Sequence, residues 1–126
     1  MSNIQQIEDS IAQSSKVIAK RDALLRLYEN ADFKEIILEE YLREQAIRMT
    51  YLYGSGALQA EAKAEIERDL HAVGAFRQFL KAIVTNGNEA VSDKESAEWQ
   101  LEEYRAMTRE QQQEEDHIVD ARDLGV

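Results

Sequence analysis

Not one proline interrupts this chain of 126 residues. Proline breaks a helix by removing a backbone donor and clashing with the preceding turn. Its absence over such a length favours long, uninterrupted helices. The spacing of apolar residues makes the same point. Ile4, Ile7, Ile11, Ser14, Ile18, Arg21, Leu25 and Tyr28 follow a strict three-four spacing, the repeat of one helix face. The seam is narrow over the three isoleucines and widens between Val17 and Tyr28. A narrow stripe suits a coiled-coil contact, and a wide one packs into a globular core. Ile4, Ile7 and Ile11 therefore fit either a protein-binding contact in a homo-oligomer or an ordinary face lying on its own domain.

The whole chain reads as all-α, an elongated bundle of about four helices. The first spans residues 3–29. "ENADFKEI" ends it, and Asp32 with Glu35 gives a capping-box-like restart. A second helix, Phe33 to Tyr53, has apolar residues on more than one stripe, as expected of a central helix contacted on two sides. "YGSGA" breaks it, with Gly54 suited to a left-handed C-cap. The third runs from about residue 58 to Asn86 on Ile66, Leu70, Val73, Phe76, Phe79, Leu80, Ile83 and Val84, and Gly87 is expected to stop it. The second and third helices should form an antiparallel hairpin. Ser92 or Asp93 would cap a fourth helix, from Lys94 to Glu115, anchored near Trp99 to Met107. Gly74, inside the third helix, costs roughly 1 kcal/mol relative to alanine, and a close helix crossing would explain it. Gly54, Gly74 and Gly87 are thus the expected structural glycines.

Charge divides the chain. Residues 1–88 carry 13 acids and 11 Lys or Arg, whereas residues 89–126 carry 12 acids and 4 Lys or Arg. The net charge of −10 therefore sits mostly in the last third. Phosphate binding needs clustered Lys and Arg, so direct nucleic-acid binding is disfavoured, and a partner with a basic surface fits better. Residues 1–107 read as the helical domain. Residues 108–126 read as an acidic spacer ending in a small apolar tip, Ile118, Val119, Leu124 and Val126, which would dock on a partner or neighbouring subunit.

Catalysis finds little support. The chain has no cysteine, which excludes disulfides and thiol chemistry. No serine stands in a recognisable arrangement with histidine, and "GSG" lacks the Lys-Ser/Thr of a phosphate loop. Glu114 and His117 have the Glu-x-x-His spacing of di-iron bundles, but the other histidine, His71, follows Glu67 at a different spacing. The expectation is no enzyme, metal or cofactor. No stretch is apolar enough for a membrane span, and "MSNIQQIEDS" lacks a secretory signal's basic n-region.

Two stretches, "RDALLRLYENADFKEIILEEYLREQAIRM" and "ERDLHAVGAFRQFL", resemble small uncharacterised helical proteins encoded near the structural genes of tailed bacteriophages. The resemblance covers roughly residues 21–84. It implies a phage protein made in the bacterial host cytoplasm and present in the virion or its assembly intermediates. On that view the chain is a non-enzymatic structural or assembly protein that binds itself and other phage proteins. The alternative is an inhibitor that binds a host protein through its acidic surface.

Overall fold

The computed structural model describes residues 2–107 and, beyond them, Gln111, Gln113, Glu114 and Asp116. No strand occurs among the described residues, and the chain is all-helical. Helix α1 spans Asn3–Tyr28. Ser2 caps it: its hydroxyl accepts the Gln5 amide at 3.2 Å, satisfying one donor that a helix start leaves free. Helix α2 consists of three consecutive segments, Ala31–Phe33, Lys34–Gln45 and Ala46–Gly54. Helix α3 is a single run of 47 residues, Ala60–Ala106.

Among the described residues three long helices stand where four are expected, because α3 runs through Gly87 without stopping. Gly87 is buried inside the helix, and the only positive-φ glycine among the described residues is Gly56, at 75°. The helical cost of one glycine is roughly 1 kcal/mol. It adds to the weak helix formers beside it, Thr85, Asn86 and Asn88, and is outweighed by the residues that the continuous helix buries, Leu80 before it and Ala90 after it. Ser92 and Asp93 consequently cap nothing and stand exposed on the helix. The turn after α2 also differs in detail. The left-handed conformation falls on Gly56 instead of Gly54, and the Ser55 hydroxyl donates to the Leu52 carbonyl at 2.8 Å. Between α1 and α2, Asn30 is the cap in place of Asp32, its side chain accepting the Phe33 amide at 2.9 Å.

Residues Lys34–Gln45 form a π-helix, which is bonded i→i+5 and rare at this length. The sequence explains the widening. Its inward apolar groups are Phe33, Ile37 with Leu38, Tyr41 with Leu42, and Ala46, recurring every four to five residues. A π-helix, at roughly 4.4 residues per turn, keeps that set on one face. An α-helix would rotate Gln45 into Ala46's place.

The chain divides into two compact units, residues 21–85 and residues 1–20 with 86–126. In the first, Leu24, Leu42, Met49, Ile66, Val73 and Leu80 form the buried cluster. Ile66, Val73 and Leu80 lie seven residues apart, the spacing of a packed helix seam. Within the unit Tyr53 meets Glu67, Tyr41 meets Phe76 edge-on at 6.1 Å, and Arg77 donates to the Leu42 carbonyl at 2.6 Å. Tyr28 and Phe33 stack at 6.0 Å across the α1–α2 break.

The second unit packs smaller side chains. Ser14 on α1 and Gly87, Ala90 and Ala97 on α3 are buried, as a close approach of two helices requires. Tyr104 is the large exception, only 4% exposed. Arg105 pairs with Glu8 at 3.0 Å. Ile4, Ile7 and Ile11 are half-buried within this unit.

Candidate functional site

Among the described residues no three His, Cys, Asp or Glu side chains gather where they could hold a metal ion. His71 is exposed, and so is Glu114, whose sequence partner His117 lies outside the described residues. No described helix is long and apolar enough to cross a membrane.

Surfaces are the more informative feature. In the unit of residues 21–85 several large apolar side chains face outward. Tyr51 is 77% exposed, Ile36 60%, Phe79 55% and Leu52 51%. The second stripe of α2, which carries Ile36 and Ile47, is therefore not covered as a centrally packed helix would be. Two of the grooves on this unit differ in charge. One, of about 670 Å³, has Ile36, Tyr41, Met49, Val73 and Phe76 as its walls, with Glu40 and Asp69 among the lining residues. The other, of about 690 Å³, has Tyr28, Leu42 and Leu80 in its lining together with Arg43, Arg77 and Lys81, and no acid.

Gly74 contradicts the expectation of a close crossing. It is exposed, and a Cβ built there meets nothing within 4 Å. It lies in a shallow surface depression with Tyr53, Glu67, His71 and Gln78. The same is true of space around Gly54, where a Cβ would also meet nothing. Tyr53 donates its phenol to Glu67 at 2.7 Å. That hydrogen bond, followed by the Glu67 charge, raises the phenol's pKa above its ordinary value.

Asp116, which the polar composition assigns to a free acidic spacer, is half-buried. Its Oδ1 accepts the Asn3 backbone amide at 3.0 Å and the Tyr104 hydroxyl at 2.7 Å. A carboxylate at a helix N-terminus satisfies a free donor and faces the positive end of the helix dipole. The Asn3 amide, then the Tyr104 hydroxyl, hold its pKa below the ordinary aspartate value. The sequence offered a signal for this in Tyr104, the last apolar-face aromatic of α3, whose buried hydroxyl needs a partner. The proposed docking residues Ile118, Val119, Leu124 and Val126 lie outside the described residues.

Trp99, the only tryptophan, is 60% exposed on α3. Glu95, Glu102 and Glu103 stand one turn away on the same helix and are also exposed, since residues three and four apart share a face. Comparison with family models, with curated proteins and with solved structures gives no match in any of the three.

Proposed function

We propose that this chain is a non-enzymatic assembly protein of a tailed bacteriophage, acting through contacts with copies of itself and with other phage proteins. The observation that carries the reading is the outward apolar surface on α2 and α3, where Ile36, Tyr51, Leu52 and Phe79 are each more than half exposed. Large apolar side chains left exposed in this way are available for contact with another protein. The pairing of α2 with α3 is taken as an antiparallel helical hairpin. Such a hairpin buries one stripe of each helix and leaves the opposite stripes for a partner. The phage assignment itself rests on the resemblance of residues 21–84.

The test is quantitative. A tagged chain expressed during phage infection should sediment with particles or assembly intermediates at many copies per particle. Recovery only in the soluble fraction, with particles assembling normally when the gene is disrupted, overturns the reading.

A further inference from the structure

Helix α3 is electrically divided. From Leu70 to Asn88 it has no acid, and its only Lys or Arg residues are Arg77 and Lys81. From Glu89 to Tyr104 it has six acids and one Lys. The division coincides with two surface features of opposite character. Arg43, Arg77 and Lys81 stand among the lining of the groove of about 690 Å³ whose apolar part includes Tyr28, Leu42 and Leu80. On the acidic stretch Trp99 projects, 60% exposed, with Glu95, Glu102 and Glu103 one helical turn to either side.

We propose that the groove of one copy receives Trp99 of a second copy, with the glutamates around the indole meeting the groove's cations. This rests on the assembly reading above and supplies its contact. The two surfaces match in both respects that matter. Tryptophan is among the side chains enriched as buried anchors at interfaces, and Arg or Lys over its face adds a cation–π attraction. The charges are also free to exchange partners. Arg43 holds Glu39 only through an ion pair exposed on both sides, worth little in water. Lys81, Glu95, Glu102 and Glu103 have no ion pair among the described residues. Arg77 keeps its bond to the Leu42 carbonyl and contributes charge.

Groove and knob are different surfaces of one chain, so the contact is heterologous. Each copy offers one of each, and association continues head to tail into a ring or an open filament.

Because Trp99 is the only tryptophan, its fluorescence reports the contact directly. As the concentration of the full chain rises, its emission should shift to shorter wavelength in step with the mass from analytical ultracentrifugation. Trp99→Ala and the double variant Arg43→Glu, Lys81→Glu alter exposed side chains, so circular dichroism should show both folded. Each alone should self-associate at least about tenfold more weakly, whereas Lys34→Glu, also exposed, should not. Mixing the two should give a 1:1 dimer that grows no further, since one supplies an intact groove and the other an intact tryptophan. Added salt should weaken association. Oligomers that persist in both variants overturn the proposal while leaving assembly through another face. A wild-type chain that stays monomeric with unshifted emission also overturns it, and the particle fractionation above then tests the assembly reading separately.

Discussion

At position 74 the helix accepts a glycine that no neighbour demands. Nothing stands within 4 Å of a Cβ there, so Gly74→Ala should stabilise the chain by about 0.5–1 kcal/mol, read from the denaturation midpoint. A loss of stability would mean an unseen close contact. The sequence could show that glycine interrupts a strong helical pattern; it could not show which way the helix faces at that residue. Asp116 gives a pH-dependent prediction. Its folded pKa is depressed, so its stabilising contribution is present above the ordinary aspartate value and disappears as pH falls through the depressed one. The Asn3 amide resonance should therefore titrate with an inflection below the ordinary aspartate range, and Asp116→Asn should remove it. An inflection at the ordinary value would show that the carboxylate is not held there. Polar composition made residues 109–116 look unable to pack, but a single carboxylate meeting a helix start needs no apolar neighbours.

The second helix shows what spacing reveals and what it hides. Its helical character follows from Phe33, Leu42, Met49 and their neighbours, but the four-to-five-residue recurrence looked like two α-helical stripes. The π segment Lys34–Gln45 gathers Ile37, Leu38, Tyr41 and Leu42 on the inward face and leaves Ile36 outside it. Leu42→Ala should therefore cost about 2–5 kcal/mol by opening a cavity. Ile36→Ser, at a site 60% exposed, should stay within about 0.5 kcal/mol, and chemical denaturation of both variants distinguishes them. Equal losses would place Ile36 in a core. In the same measurement Arg77→Met should cost about 1–3 kcal/mol, because it removes a charged donor from the Leu42 carbonyl. Helix α3 was legible through its apolar stripe as far as Val84. Its continuation was not, since a glycine signals a helix end only when nothing beyond it favours staying helical. Ala90, Ala97 and Tyr104, spaced by seven and buried, supply that preference, but two of them are alanines, too small to register as a stripe.

Across the whole molecule the two units differ in how far apart in sequence their contacts lie. In residues 21–85 the side-chain bonds join positions 14 and 35 apart. In the other unit the longest join positions 97 and 113 apart. Closing the longest of these loops from an unfolded chain costs about 2 kcal/mol more entropy than closing the shortest. Local contacts form first when that cost must be met before any contact rewards it. Residues 21–85 should therefore make up the folding nucleus, and their folding shortens the remaining loop, so that the ends of the chain meet last. Stopped-flow kinetics checks the order: Val73→Ala should mainly slow folding, and Ala97→Gly should mainly speed unfolding. The bond from Asn3 to Asp116 is then a late closure, the last to form and the first to open, so mild denaturant should release the chain's ends while residues 21–85 remain folded.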